Sequence, residues 1–267
     1  MKPMFHEEIS RLFKNKRWLI VGILALLVFL MGSYLSQKAI NDANIIEEPL
    51  QHFLTILYYS QFHLITPLIA TVLYSDAAMI DHETGFSRFI YQRIKKQHYQ
   101  NGKFIAVGLA GGLSLSFSTL LIAFMSFLFV FSRCNFSFKN CSFVSGSFFA
   151  GPFSALLYSS KPFYFIYLLI CGFLYGACFS WVGLAVSIAL QNRFAAIASP
   201  IAGFWVWSFL VERSNHLPAS ADPLQGLTPW NSVDNVITIQ TQLVQIFGMM
   251  ALAYLLYKLA LTRRIFS

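Results

Sequence analysis

Two polar residues whose side chains could do chemistry stand inside a long apolar run. Gln61 and His63 fall near the middle of the run 51–79, with Pro67 one turn further along. Polar groups at the centre of a membrane span are costly, and they normally face the interior of a helix bundle or a cavity. A substrate pathway and hydrogen bonds between helices are the two alternatives for this pair. His63 has no partner at metal-ligand spacing, so no metal site is predicted.

The motifs of common enzyme chemistries are incomplete in this chain. The segments HEEIS and HETGF, which begin at His6 and His82, each start an H-E-x-x-H pattern but lack its second histidine. They therefore cannot supply two zinc ligands one helical turn apart. The sequence contains neither the G-x-S-x-G of a nucleophile elbow nor the G-x-x-x-x-G-K-[ST] of a P-loop. We predict no catalytic residue and no cofactor bound by this chain.

One sizeable cluster of charge lies between two long apolar runs. Its charged members are Asp76, Asp81, Glu83, Arg88, Arg93, Lys95, Lys96 and Lys103. The apolar residues between them recur at roughly helical spacing, and they are Phe86, Phe89, Ile90 and Ile94. Alternation of this kind predicts a short amphipathic helix that lies along a membrane face. Such an element suggests that something docks there.

The composition is that of a membrane protein with several spans. Apolar residues make up 57% of the 267 residues and charged residues only 11%, with a mean hydropathy of +0.60. A soluble domain carries about 25% charged residues. The net charge of +8 comes from basic residues that flank apolar runs. It therefore indicates membrane topology, and no nucleic-acid partner is predicted.

Six runs are long enough to span a membrane, which takes about 20 mainly apolar residues. We predict an all-α integral membrane protein with one transmembrane domain over 1–267. Its spans are roughly 18–36, 51–79, 104–132, 162–190, 194–211 and 239–261. Residues 1–17 are predicted to form an interfacial amphipathic helix. The charged segment 81–102 joins spans two and three.

The basic residues also predict the orientation. With the N-terminus inside, most of the 19 Lys and Arg residues fall on the inner side, which predicts that both termini are cytoplasmic. The charged segment is then cytoplasmic too. The outer connections are roughly 37–50, 133–161 and 212–238. The last two contain apolar patches, which predict short helices that rest on the outer face or dip back into the membrane.

Small residues recur on one face of the fourth span. They are Gly172, Gly176, Ser180 and Gly183. In lipid, small residues allow helix backbones to approach closely. Packing within the chain and a subunit interface are the two alternatives for this stripe.

Two cysteines, Cys134 and Cys141, lie in the second outer connection. An extracytoplasmic compartment permits a disulfide between them. A disulfide and two free thiols both remain open.

Several short segments together carry a resemblance to a known family. After the second span come PLI at 67–69, SD at 75–76 and DHETG at 81–85, followed by basic residues at 93–96 and Gly102-Lys103. Later segments are GPF at 151–153, YSSKP at 158–162 and AAIASP at 195–200. The whole arrangement resembles the permease subunit of ABC-2 type ABC transporters, in particular small permeases of low-GC Gram-positive bacteria. The chain differs from the family's E-x-G-T-like segment in having no Thr after Gly85.

The resemblance implies a mechanism divided between subunits. A separate cytoplasmic ATPase dimer would bind ATP and Mg, and two identical or related permease subunits would form the pathway in the lipid. The charged segment would be the coupling helix. Its contacts with the ATPase would come from Asp81, Glu83, Thr84, Gly85 and Arg88. The implied setting is a bacterial plasma membrane, and the implied cargo is an exported peptide, lipid or antibiotic-like compound.

Two other functions fit six spans. A secondary carrier would transport without ATP, and an intramembrane enzyme such as a protease would use His63 with a nearby serine such as Ser60. Acids inside the predicted spans are scarce, since Asp76 stands near the inner end of its span. Coupling ions are usually bound by polar or ionisable groups near mid-membrane, which disfavours the carrier.

Overall fold

The computed structural model describes residues 2–39, 46–134, 143–144, 159–214, 222, 227 and 239–263. In these residues the helices are α1 (Lys2–Phe13), α2 (Trp18–Ala39), α3 (Pro49–Tyr59), α4 (Phe62–Val72), α5 (Ala77–Glu83), α6 (Phe86–Arg93), α7 (Lys96–Arg133), α8 (Lys161–Leu190), α9 (Arg193–Arg213) and α10 (Ile239–Arg263). Two two-residue strands, β1 (Ile46–Glu47) and β2 (Phe143–Val144), pair in parallel. The prediction of an all-helical protein is confirmed.

Six helical stretches of the described chain are long and apolar enough to cross a membrane. They are Trp18–Lys38, Phe62–Glu83, Lys96–Arg133, Lys161–Leu190, Arg193–Arg213 and Gln240–Thr262. This confirms the prediction of six membrane-spanning helices. The chain is a multi-pass membrane protein.

Helix α8 lies at the centre of the bundle. It contacts α7, α10, α9 and α4, while α2 and α3 pack on the other side of α7. One apolar core joins α2, α3, α4, α7 and α8, and it includes Phe53, Ile69, Leu115 and Leu168. Apolar side chains that face outward on α2, α9 and α10 remain exposed, as is expected of surfaces that contact lipid.

The predicted second span, 51–79, is not one helix: α3 precedes a break, and the stretch Phe62–Glu83 begins after it. Helix α3 ends at Tyr59, and Gln61 has a left-handed backbone conformation with φ of 52° before α4 begins. Within α4, Pro67 has no N–H to donate to the carbonyl of His63. The Thr66 hydroxyl donates to that carbonyl instead, at 2.7 Å. The apolar run does not reveal this division, because both halves are apolar.

The third span is longer than predicted. Helix α7 has 38 residues and starts at Lys96, eight residues before the predicted start at 104. At 1.5 Å per residue it is about 57 Å long, well beyond the roughly 30 Å of a bilayer core. Its first two turns therefore project from the bundle and offer a surface on which other elements can pack.

The two ends of the bundle differ in character. At one end, the β1–β2 pair joins the first two predicted outer connections, and Lys161 forms an ion pair with Glu48. At the other lie α1, α5, α6 and the start of α7, together with the short α8–α9 connection. We call this the charged end, defined by residues 2–17, 73–103 and 188–196. Its cytoplasmic location stays a prediction.

Candidate functional site: a buried charge cluster

Lys103 is the centre of a charge cluster at the charged end. It lies on α7, two turns after the helix begins, and it is 2% exposed. Its ammonium nitrogen is 2.9 Å from Oε2 of Glu8 on α1 and 2.6 Å from Oδ2 of Asp81 on α5. Both carboxylates are also buried. One lysine thus joins three helices that are distant in sequence.

Two tyrosines and an arginine complete the cluster. The Tyr74 hydroxyl donates to Glu8 and the Tyr99 hydroxyl donates to Asp81, each at 2.7 Å. Arg11, on the same helix as Glu8, donates to Oδ1 of Asp81 at 3.3 Å and lies 3.9 Å above the ring of Phe86. Each carboxylate therefore has several donors, which is the condition under which buried charge is tolerated.

This arrangement is suited to positioning and not to acid–base chemistry. Every carboxylate oxygen of the cluster accepts a hydrogen bond from a lysine, tyrosine or arginine of the same chain. Because the buried carboxylates depend on donors from three helices, the cluster fixes α1 against α5 and α7 in one register. We call Glu8, Arg11, Tyr74, Asp81, Tyr99 and Lys103 the charge cluster.

A second ion pair holds the start of α2 near the cluster. The guanidinium of Arg17 donates to Oδ1 and Oδ2 of Asp76, at 2.6 and 2.9 Å, and also to the carbonyl of Val72. The hydrogen bonds that Arg17 donates to Asp76 raise the pKa of Arg17 above its already high ordinary value. Arg17 therefore stays charged throughout the neutral range.

Asp76 and Arg17 are buried to different extents, so we expect their substitutions to lower the free energy of unfolding by different amounts. The side chain of Asp76 is 3% exposed and that of Arg17 is 30% exposed. Arg17→Ala leaves a buried carboxylate without its cation, and we expect it to lower the free energy of unfolding by about 2–3 kcal/mol. Asp76→Ala leaves an arginine that can reach water, and we expect a cost of about 1 kcal/mol. Thermal unfolding of both variants in the same detergent measures the difference; equal costs would contradict it.

The predicted coupling residues occupy different environments. Asp81 is buried in the charge cluster, so its carboxylate is directed into the chain and not toward a partner surface. Glu83 is exposed at the end of α5 and forms an ion pair with Arg193 at the start of α9. The Thr84 side chain is exposed, and its hydroxyl donates to the carbonyl of Ile80. Their contact with an ATPase stays a prediction.

The charged segment is two short helices and not one. Gly85 has a φ of 72°, a conformation that glycine adopts without strain, and it turns the chain between α5 and α6. Arg88 lies within α6, but its side chain is outside the part of the chain that the structure describes. Helix α6 ends where Ile94 becomes extended, two residues before α7 begins. The predicted segment 81–102 thus includes the end of α5, all of α6 and the first turns of α7.

The predicted pathway residues are at the break in the second span. Gln61 is exposed in the left-handed position between α3 and α4, and His63 is buried in the first turn of α4. A small cavity lies beside them, lined by Phe62, Thr66 and residues of α7 and α8. His63 is not among its lining residues. The choice between a pathway and helix packing therefore stays open for both residues.

Part of the third predicted outer connection reaches into the bundle. Leu227 is buried and packs with Ala70 and Tyr175. Asp222 accepts a hydrogen bond from Ser208 on α9 at 2.8 Å, and its backbone carbonyl accepts one from Gln245 on α10. These two described residues agree with a connection that dips back toward the membrane interior.

The small residues of the fourth span pack inside the chain. Gly176 lies against the backbone of Gly111 on α7, and the Ser180 hydroxyl donates to the carbonyl of Ala70 on α4 at 2.7 Å. Gly183 lies against the carbonyl of Ala196 on α9. Pro200 cannot donate an N–H to that carbonyl, and the absence of a side chain at position 183 lets α8 approach it.

The remaining predicted site residues are Gly172, Cys134 and Cys141. A side chain at Gly172 would only reach ordinary contact with Leu115 and Thr119, so this position is less crowded than the rest of the stripe. Cys134 is buried just after α7 and is disulfide-bonded. Cys141 lies outside the described residues, so its pairing with Cys134 stays a prediction.

Sequence reasoning did not single out Glu8, Lys103, Arg17 or Asp76 as partners. It placed Lys103 in the charged segment before the third span, and Glu8 fell within the predicted interfacial helix 1–17. The available signal was weak: each is a charge within one or two turns of a long apolar run. Nothing in the sequence relates position 8 to position 103, because the contact depends on how the helices pack.

These features define a multi-pass helical membrane protein whose spans are joined at one end by buried charge. No protein-family model matches the chain, and neither a curated protein nor a solved structure is similar to it. The resemblance to ABC-2 permeases therefore rests on the sequence segments quoted above.

Proposed function

We propose that this chain is the membrane-spanning permease subunit of an ATP-driven exporter of the ABC-2 type. The observation that supports this best is the construction of the charged end. It carries two short helices, α5 at the end of the second span and α6 after it, and ion pairs attach α5 and the turn before it to the starts of α2, α7 and α9. A segment that is exposed on one side and firmly attached on the other is suited to receiving force from a partner.

The exposed side of this segment is the proposed docking surface for an ATPase subunit. Phe89 on α6 is 68% exposed, so it gives this segment a large apolar side chain that a partner could cover. Glu83 and Thr84 are exposed at the end of α5 beside it. An apolar anchor with polar neighbours is the usual composition of a protein interface. ATP and Mg would be bound by the partner, and this chain would not be catalytic.

The attached side would pass the movement to the spans. Asp81 and Lys103 join α5 to α7, Asp76 and Arg17 join the α4–α5 turn to α2, and Glu83 pairs with Arg193 at the start of α9. A displacement of α5 would therefore act on several spans at once. Two permease subunits, identical or related, would enclose the pathway for a peptide, lipid or antibiotic-like cargo in a bacterial plasma membrane.

A photo-cross-linking experiment tests the proposed docking surface. A photoreactive phenylalanine analogue is placed at Phe89 in the full chain, which is expressed together with its neighbouring genes. We expect ultraviolet light to link it to a P-loop ATPase that mass spectrometry identifies. The same analogue at Phe247 is the matched control, because Phe247 is 64% exposed on α10, far along the chain in a membrane-spanning helix.

The outcome separates the proposed function from its main alternative. An ATPase linked from position 89 and not from position 247 supports the exporter. If no ATPase is linked from either position and none is retained on purification, the proposal is wrong. Transport that follows an ion gradient and does not need ATP would then indicate a secondary carrier.

A further inference from the structure

In the turn between α1 and α2, some polar side chains are directed into the bundle and others are exposed. Asn15 donates to the carbonyl of Leu73, and Arg17 donates to Val72 and Asp76, so both side chains are directed into the bundle. Lys14 and Lys16 occupy the alternate positions and are exposed. Trp18 follows immediately and starts the apolar α2. The two lysines therefore stand where the chain changes from polar to apolar.

The carboxylates described at the charged end are already paired with other cations. Glu7 pairs with Arg11, Glu83 pairs with Arg193, and Asp76 pairs with Arg17. Glu8 and Asp81 share Lys103. In the part of the chain that the structure describes, no carboxylate forms an ion pair with Lys14 or Lys16. An anion from outside the chain is therefore the natural partner for these two lysines.

Three aromatic side chains form a surface next to the two lysines. We call Phe13, Trp18 and Phe117 the aromatic wall. The rings of Phe13 and Trp18 are stacked with centroids 6.5 Å apart, and Trp18 meets Phe117 of α7 edge to face at 5.4 Å. Phe13 is 63% exposed and Leu19, the next residue of α2, is 71% exposed. This surface is apolar, open and continuous with the span, so it is suited to an acyl chain.

We propose that this surface, Phe13, Lys14, Lys16, Trp18, Leu19 and Phe117, is a binding site for an anionic phospholipid. The phosphate and an anionic headgroup would face the two lysines, and one acyl chain would lie along the aromatic wall. A zwitterionic lipid offers the same acyl chains, but its choline would stand near the lysines. A soluble acidic protein would satisfy the lysines but would leave the apolar wall uncovered. The inference does not depend on the proposed exporter function.

Native mass spectrometry of the full chain in detergent tests this site. The probe is an equimolar mixture of palmitoyl-oleoyl phosphatidylglycerol and phosphatidylcholine, and the readout is the ratio of the two bound lipids. A lysine near an anionic lipid contributes about 1 kcal/mol, or about fivefold in binding. We therefore expect Lys14→Gln with Lys16→Gln to reduce the preference for phosphatidylglycerol by about 25-fold.

Lys95→Gln with Lys96→Gln is the matched control. It removes the same charge from two exposed lysines at the same end. These lysines are not next to an apolar span, because the apolar part of α7 starts only after Lys103, seven residues beyond Lys96. We expect this variant to keep the wild-type ratio within about twofold, since mainly polar residues follow these lysines in α7, whereas the apolar α2 follows Lys16. The side chains of both lysine pairs are exposed, so neither double variant removes a buried contact. An unchanged elution volume in size-exclusion chromatography confirms that each variant is folded.

Two further results decide the inference. Phe13→Ser is expected to weaken both lipids while leaving their ratio unchanged, because it alters the wall and not the lysines. If the two lysine pairs reduce the ratio equally, the preference is a general effect of net charge and the site is rejected. If Lys14→Gln with Lys16→Gln leaves the ratio unchanged, the site is also rejected, and an acidic protein becomes the better candidate for these lysines.

Discussion

Lys103→Met is expected to lower the free energy of unfolding by about 3–5 kcal/mol, the usual cost of removing one partner from a buried ion pair. Methionine fills a similar volume, so the loss comes from charge and not from a cavity. Glu8 and Asp81 would remain buried and close together, with Arg11 as the nearest cation. Unfolding of the purified chain by heat or by sodium dodecyl sulfate measures the loss.

The control and the rescue both follow from the same contacts. Lys95→Met removes an exposed lysine eight residues earlier, and we expect a change within about 0.5 kcal/mol. Combining Lys103→Met with Glu8→Gln and Asp81→Asn removes the three buried charges and keeps acceptors for Tyr74 and Tyr99, while the partly exposed Arg11 keeps its ion pair with Glu7. This triple variant should recover most of the lost stability, because well-matched neutral groups replace buried ion pairs at little cost. A triple variant as unstable as Lys103→Met alone would show that charge is not the cause.

Gly176→Leu is expected to destabilise the chain by at least about 3 kcal/mol, at the upper end of the effects of overpacking. A Cβ atom at this position would overlap the carbonyl oxygen of Gly111 and crowd the Cβ of Leu115. A backbone atom cannot rotate out of the way, so α7 and α8 would have to separate. Because α8 is the central helix, the separation would disturb its contacts with α4 and α9 as well.

Gly203→Leu provides the matched control for that substitution. Gly203 also lies in the interior of a predicted span, but nothing is within 4 Å of a Cβ atom built there. We expect a change within about 0.5 kcal/mol in the same unfolding assay. If the two leucine variants prove equally stable, the contact between Gly111 and Gly176 is not tight in the folded protein, and the small residues of α8 would have to serve an outward-facing role.

Much of the fold could be predicted because membrane spans are encoded locally. An apolar run of about 20 residues must form a helix in lipid, where every backbone polar group needs a partner within the segment. Hydropathy therefore located five spans to within a few residues, apart from the early start of α7. It failed in the second predicted span, where the helix breaks at Gln61 between two apolar halves.

The candidate site could be predicted only in part. The charge pattern drew attention to residues 76–103, and the periodic small residues drew attention to a face of α8 that packs closely against α7 and α9. The sequence could not show that Asp81 is turned inward while Glu83 stays exposed, although the two are only two residues apart. A helix of 3.6 residues per turn separates such neighbours by about 200°, and packing decides which of them is buried.

By itself, the sequence determined that this is an all-helical protein with six apolar spans and a charged segment between the second and third. These properties depend on composition and on spacing along one stretch of chain. Only the tertiary structure decided that Lys103 meets Glu8 and Asp81, since 95 residues separate Lys103 from Glu8. The physical reason is that a buried charge needs a partner in space, and helix packing alone brings these three residues together.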